Sequence, residues 1–161
     1  MLVVANTSPL IALDRIGKLE VLRHLYGTVL RPQSVVDELN AGQGAYDISR
    51  MLRDAEWIVT KPDPPVMALR KELGAGETAA IALATSLQAD LVVLDDLQAR
   101  LVAASLGLRI TGTLGVLLAA QRIGLLADTM PAISQLQEAG FRISVALLEK
   151  CRSLGAGTEN A

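Results

Sequence analysis

Four carboxylates and one amide stand where they could hold a cation. Asn6 directly follows the apolar run Met1-Leu-Val-Val-Ala5, and Asp95 and Asp96 directly follow a second run, Leu91-Val-Val-Leu94. Glu77 opens a helical stretch whose nearby residues, Ala79 to Ala84, are almost wholly apolar, and Glu38 stands on the helix expected after Pro32. Hard divalent cations such as Mg2+ and Mn2+ take oxygen ligands. Clustered carboxylates repel one another unless a cation compensates them or they bind protons, so convergence of Glu38, Glu77, Asp95 and Asp96 calls for a metal. Taken singly, each has a plainer reading. Asn6 and Asp96 suit helix caps, the helix dipole favours Glu77 in a first turn, and Glu38 suits a solvated face.

The elements that must position these residues alternate. Met1–Ala5 reads as a strand buried on both faces, followed by cap residues and proline in Asn6-Thr-Ser-Pro-Leu10. Leucine and isoleucine then recur at helical spacing to Leu25, with Gly17 as a break between two short helices. A second strand is expected at Thr28-Val-Leu30, a helix from Ser34, a helix over 44–56, and a strand at Trp57-Ile-Val-Thr60. The loop Lys61-Pro-Asp-Pro-Pro65 can be neither helix nor central strand. A short helix to Glu72, a longer one over Glu77–Leu87 opened by Gly74-Ala-Gly76, a buried strand Leu91–Leu94 and a helix Gln98–Leu106 come next. A strand at Leu108–Thr111 precedes helices near 113–123, 129–138 and 144–153. Such a rhythm implies one α/β domain over 1–153, a mostly parallel central sheet flanked by helices, with a disordered tail at 154–161. In sheets of this kind sites form at strand carboxyl ends, where Asn6 and Asp95-Asp96 both fall.

Composition narrows the function. The 161 residues suffice for one core without staples, and the apolar fraction of 51% points to some surface hidden in a homodimer. No apolar run is long enough for a membrane span, the start lacks a signal-peptide pattern, and a single cysteine, Cys151, forms no internal disulfide; the cytoplasm is the expected compartment. A net charge of −2 excludes binding nucleic acid by bulk charge, so any RNA contact is local. Tyr26, Tyr46, Trp57 and Phe141 are too few for a base-stacking platform.

Five ordered segments carry a resemblance: Asn6-Thr-Ser-Pro-Leu-Ile11, Pro32-Gln-Ser-Val-Val-Asp-Glu-Leu39, Gly76-Glu-Thr-Ala-Ala-Ile-Ala-Leu-Ala84, Val93-Leu-Asp-Asp-Leu-Gln-Ala-Arg100 and Gly107-Leu-Arg-Ile-Thr-Gly-Thr-Leu-Gly115. Across nearly its whole length the chain resembles the PIN-domain nucleases, in a bacterial and archaeal branch related to the toxin ribonucleases of toxin–antitoxin pairs. The resemblance implies a metal pocket whose family positions fall on Asn6, Glu38, Glu77 and Asp96, with Asp95 as an added ligand or water holder. It implies Glu38, Glu77 and Asp96 as the catalytic acids, and Mg2+ or Mn2+ as the cofactor that polarises the scissile phosphate and generates the attacking hydroxide. Ser8 and Thr113 match positions of supporting hydroxyls and, with Arg100, are the candidate substrate contacts. RNA is the implied substrate and an antitoxin protein the implied partner. The chain departs from the family at Asn6, where most active members have Asp: an amide oxygen still ligates a hard cation but brings no charge, so metal affinity and water activation should fall.

Other residues carry plainer expectations. His24 has no second histidine for a zinc site and reads as a surface or interface residue, Cys151 reads as packing, and Arg100, one turn after Asp96, reads as its ion-pair partner or as a phosphate contact. Arg15, Lys18 and Arg23 form either a modest basic rim or a solvated helix face. Three readings follow. The first is a metal-dependent endoribonuclease. The second is a non-catalytic PIN-like module binding protein or RNA, favoured by Asn6 and the acidic balance. The third is a receiver- or phosphatase-like protein phosphorylated at Asp95 or Asp96, which lacks a strand-end lysine to support it.

Overall fold

Runs of valine, leucine and alanine stiffen into short strands wherever both faces can be covered, and five do so here. The computed structural model describes residues 1–34, 47–65 and 72–156. The strands are β1 (Val3–Ala5), β2 (Val29–Pro32), β3 (Ile58–Lys61), β4 (Leu91–Val93) and β5 (Ile110–Thr111). They form one sheet in the order β3-β2-β1-β4-β5, with every neighbouring pair parallel. Eight helices flank it among the described residues: α1 (Thr7–Arg15), α2 (Glu20–Tyr26), α3 (Ile48–Asp54), α4 (Ala75–Ser86), α5 (Leu97–Ser105), α6 (Thr113–Arg122), α7 (Met130–Glu138) and α8 (Val145–Ala156). The expected single α/β domain with a parallel sheet is the observed one.

The period of two along each strand divides the core. Val3, Ala5, Val29, Leu91 and Val93 face one way, into a cluster closed by α1, α2, α3, α6, α7 and Cys151 of α8. Val4, Leu30, Val92 and Leu94 face the other way, against Ala80, Ile81, Leu83 and Ala84 of α4 and Ala99, Val102 and Ala103 of α5. Alanine on α4 is what lets that helix lie close over β1, β2 and β4 together. From β1 the chain moves outward through β2 and β3, then crosses back to lay β4 on the other side of β1. The reversal makes the carboxyl ends of β1 and β4 the switch point of the sheet.

Element ends differ from expectation for local reasons. Helix α4 starts at Ala75 with Gly74 as its N-cap residue and takes Gly76 into its first turn, buried, so these glycines lie at and inside the helix start. Strand β2 extends to Pro32, which ends the strand level with Lys61. Gly17, at φ 66°, makes the break between α1 and α2. Of the helix expected over 44–56, α3 forms Ile48–Asp54, and of the helix expected from Ser34 the described backbone is helical at Gln33 and Ser34, while 35–46 lie outside the described residues. Glu72 stands in a turn, and 66–71, the remainder of its expected short helix, also lie outside. Helix α8 continues to Ala156 with Gly155 buried, past the expected boundary at 153; of the expected tail, 157–161 lie outside the described residues. Among the described residues no helix is long and apolar enough to cross a membrane.

Candidate functional site

Asn6 continues the sheet: its backbone N–H donates to Val93 O at 3.1 Å, so the β1–β4 ladder persists one residue beyond β1. Strand alternation then sends its side chain to the face of Val4, the one covered by α4. There Nδ2 of the buried Asn6 donates to Oε1 of Glu77, third residue of α4, at 3.4 Å. The Glu77 carboxylate lies back across the helix start so closely that a Cβ at residue 74 would overlap Oε2. Gly74 thus makes room for the inward pose of Glu77. Asn6 occupies the N-cap position of α1 but makes no side-chain cap bond, its amide nitrogen being turned to Glu77 instead.

Asp95 is held elsewhere. Its Oδ1 accepts from Thr113 N at 2.7 Å and its Oδ2 from Thr113 Oγ1 at 2.6 Å. Thr113 opens α6, whose N-cap residue Gly112 has no side chain to offer, so Asp95 braces that helix from 18 residues away. Leu114, Val116 and Leu117 of α6 belong to the core on the opposite face from α4. The pleat therefore separates Asp95 from the Asn6–Glu77 pair. Asp96, exposed, caps α5 by accepting from Ala99 N at 2.8 Å. Its plainer reading as a cap is thus realised.

Arg100 does not pair with Asp96, whose carboxylate serves Ala99; its Nη1 donates to Leu94 O at 3.3 Å. That guanidinium passes beneath Gly112, where a Cβ would meet Arg100 Nη1 at 2.6 Å, Asp95 Oδ1 at 2.8 Å and Leu94 O at 3.3 Å. The arginine end can shift, but Asp95 is fixed by Thr113 and Leu94 O is backbone. Gly112→Ala is therefore expected to lower stability by about 1–3 kcal/mol, the usual range for overpacking, as read from urea denaturation midpoints. A variant as stable as the parent would show that the Asp95–Gly112–Arg100 stack is not tight.

Thr113 is fully buried, so its hydroxyl braces Asp95 and does not face a substrate. Ser8 is exposed on α1 and lines a surface hollow with Ile11, Arg15, Leu136 and Phe141, among α1, the end of α7 and the chain after it. Glu38 lies outside the described residues. His24 is exposed and its Nδ1 donates to Glu20 O at 2.8 Å, the bond of a surface histidine. Cys151 is buried in the core, and burial pushes its thiol pKa up, as suits a packing residue. Arg31, a residue the sequence reading passed over, is buried in β2 at the same sheet edge. Its signal was a charge inside the apolar run Thr28-Val-Leu-Arg-Pro32.

Among the described residues no three His, Cys, Asp or Glu side chains gather closely enough to hold a metal ion. The donor chemistry nevertheless suits a hard cation. Asn6 Oδ1, Glu77 Oε2 and the free oxygen of Asp96 are all hard oxygens at one sheet edge.

A family profile described as a PIN domain matches residues 2–155 of the chain. Among solved structures the chain is similar to a PilT N-terminus domain protein from the hyperthermophilic archaeon Sulfolobus solfataricus, with a TM-score of 0.57 and 18% identity over 74% of this chain and 93% of that one. At that identity the likeness is one of fold. No curated protein matches the chain.

Proposed function

Since the chain belongs to the PIN-domain family, a nuclease-like family, we propose that it hydrolyses phosphodiester bonds in RNA with the help of Mg2+ or Mn2+. The observation that supports this most is the meeting of Asn6 and Glu77, 71 residues apart in sequence, at the switch point of the sheet. Asn6 Oδ1, Glu77 and Asp96 would hold the cation, with Glu38 as the further ligand that the family resemblance implies. Bound there, a divalent cation supplies charge to the scissile phosphate and acidifies the attacking water. The protein's own share is positional. Gly74 lets Glu77 fold inward, Asp95 and Thr113 fix the end of β4 against α6, and the Asp96 cap orients the start of α5. An acidic protein of this charge meets RNA locally, at the sheet edge, and not through a basic face.

Calorimetric titration of the metal-stripped protein with Mn2+ tests the reading. Saturable binding is expected, weakened about tenfold or more by Glu77→Gln and by Asp96→Asn in folded variants, since each removes a charged ligand. Absence of binding by the parent protein would remove the hydrolytic reading. The same variants then serve as controls for RNA cleavage and for growth arrest on expression, the sign of a toxin held down by an antitoxin. A second reading, a PIN-like module that binds protein or RNA without cleaving, is favoured by one observation: Asn6 gives Glu77 a hydrogen bond where an acid would have shared a cation.

A further inference from the structure

Three of the five buried side-chain polar atoms without a hydrogen-bond partner among the described residues fall at the carboxyl ends of two adjacent strands. They are Thr7 Oγ1, just past β1, Arg31 Nε in β2, and Ser34 Oγ, just past β2. The parallel register pairs Val4 with Leu30, which puts Arg31 level with Ala5, one strand spacing or about 4.8 Å away. Alternation along β2 places Arg31 on the face of Val29, the face that α1 covers. Helix α1 begins there with Thr7, its N-cap residue Asn6 makes no side-chain cap bond to the helix, and no acid stands in its first turn. Backbone N–H groups at such a start attract negative charge.

A guanidinium stays protonated in a protein, and burying it without an anion is costly. Arg31 is 5% exposed and Thr7 is 7% exposed. Burial lowers the Arg31 pKa, and no acid among the described residues offsets that. Ser34 is a weaker member, because its N–H is already held by both oxygens of Asp63 at 3.1 Å, an acid that disfavours an anion beside it. The unmet donors among the described residues therefore centre on Arg31, Thr7 and the α1 start, at the carboxyl ends of two neighbouring strands, where an oxyanion would offer them acceptors.

We propose that Arg31, the Thr7 hydroxyl and the uncapped start of α1 form a phosphate subsite that takes a backbone phosphate of a nucleic-acid strand lying along the carboxyl edge of the sheet. This goes beyond hydrolysis, since it needs neither the acids nor a cation, and it gives an acidic protein the local phosphate contact that its net charge denies it elsewhere.

Thermal unfolding of the full chain in EDTA, with inorganic phosphate against sodium chloride at matched ionic strength, tests the site. Near-saturating phosphate is expected to raise the parent Tm by about 5 °C or more. Arg31→Met is expected to be at least as stable as the parent without phosphate, having lost an unpaired buried charge, and to lose most of the phosphate shift. Arg31→Lys, which keeps the charge but not the fork, should retain part of it. No phosphate-specific shift in the parent, or an undiminished shift in Arg31→Met, overturns the proposal. If Arg31→Met fails to fold, Thr7→Val and Arg31→Lys carry the same test. A short oligoribonucleotide identifies the source: binding at least tenfold tighter than inorganic phosphate and dependent on Arg31 supports a strand phosphate, and equal affinity overturns it. Asp96→Asn, which weakens Mn2+ binding under the hydrolytic reading, should leave the phosphate shift unchanged, so the two ideas fail separately.

Discussion

Asn6→Asp is expected to bind Mn2+ about tenfold or more tightly than the parent while losing about 1–3 kcal/mol of stability in EDTA. Both effects have one origin. In the parent, Nδ2 of Asn6 faces Oε1 of Glu77 at 3.4 Å, a donor against a carboxylate, so the site is closed without any cation. An aspartate there would set a carboxylate in the buried place of Asn6 against the carboxylate of Glu77, which lies back over Gly74. A cation relieves that repulsion and a neutral amide does not need it. Urea denaturation in EDTA and in excess Mn2+ should therefore show the variant less stable than the parent in the first and regaining the difference in the second. A variant equal to the parent in both conditions, and binding Mn2+ no better, would falsify the view that Asn6 limits metal binding.

The same pair shows what the sequence made legible. Apolar runs before Asn6 and Asp95 were enough to place both residues at strand ends, because a run of Val and Leu buried on both faces has few other homes. The helix carrying Glu77 was legible from its alanines, and its approach to Asn6 follows from a parallel sheet with a crossover helix. Parity was the missing step. Asn6 follows an odd number of strand residues in β1 and Asp95 stands two positions past β4, so the pleat turns them to opposite faces. Among the described residues, Glu77, Asp95 and Asp96 therefore do not make a cluster by order alone. Arg100 shows a similar limit: one turn from Asp96 suggested an ion pair, yet Asp96 is taken by Ala99 N, and the guanidinium reaches Leu94 O under a glycine that only the folded loop reveals. Arg31 was missed because a lone charge in an apolar run is ambiguous until its neighbours are known, and only a buried Nε without a partner among the described residues gives it meaning.

Asp95→Ala is expected to be the most destabilising of the acid-site substitutions, by about 2–4 kcal/mol, although Asp95 stands apart from the Asn6–Glu77 pair. Truncation leaves both the N–H and the hydroxyl of Thr113 without acceptors in a fully buried position, and it removes the negative charge at the start of α6. The loss of one N-cap at exposed Asp96 costs only about 1 kcal/mol in comparison. Asp95→Asn keeps one carbonyl acceptor for Thr113 N and should fall between the two. Urea midpoints order the three variants, and equal midpoints for Asp95→Ala and Asp96→Ala would show that the brace on α6 carries little energy. The ordering matters for any activity measurement. A loss of cleavage in Asp95→Ala follows from a displaced β4 end and α6 start as readily as from a missing ligand, whereas Asp95→Asn at a temperature well below its midpoint separates the two. If that variant still binds Mn2+ as the parent does, Asp95 acts by holding Thr113, and the oxygen that the cation uses at the end of β4 is that of Asp96.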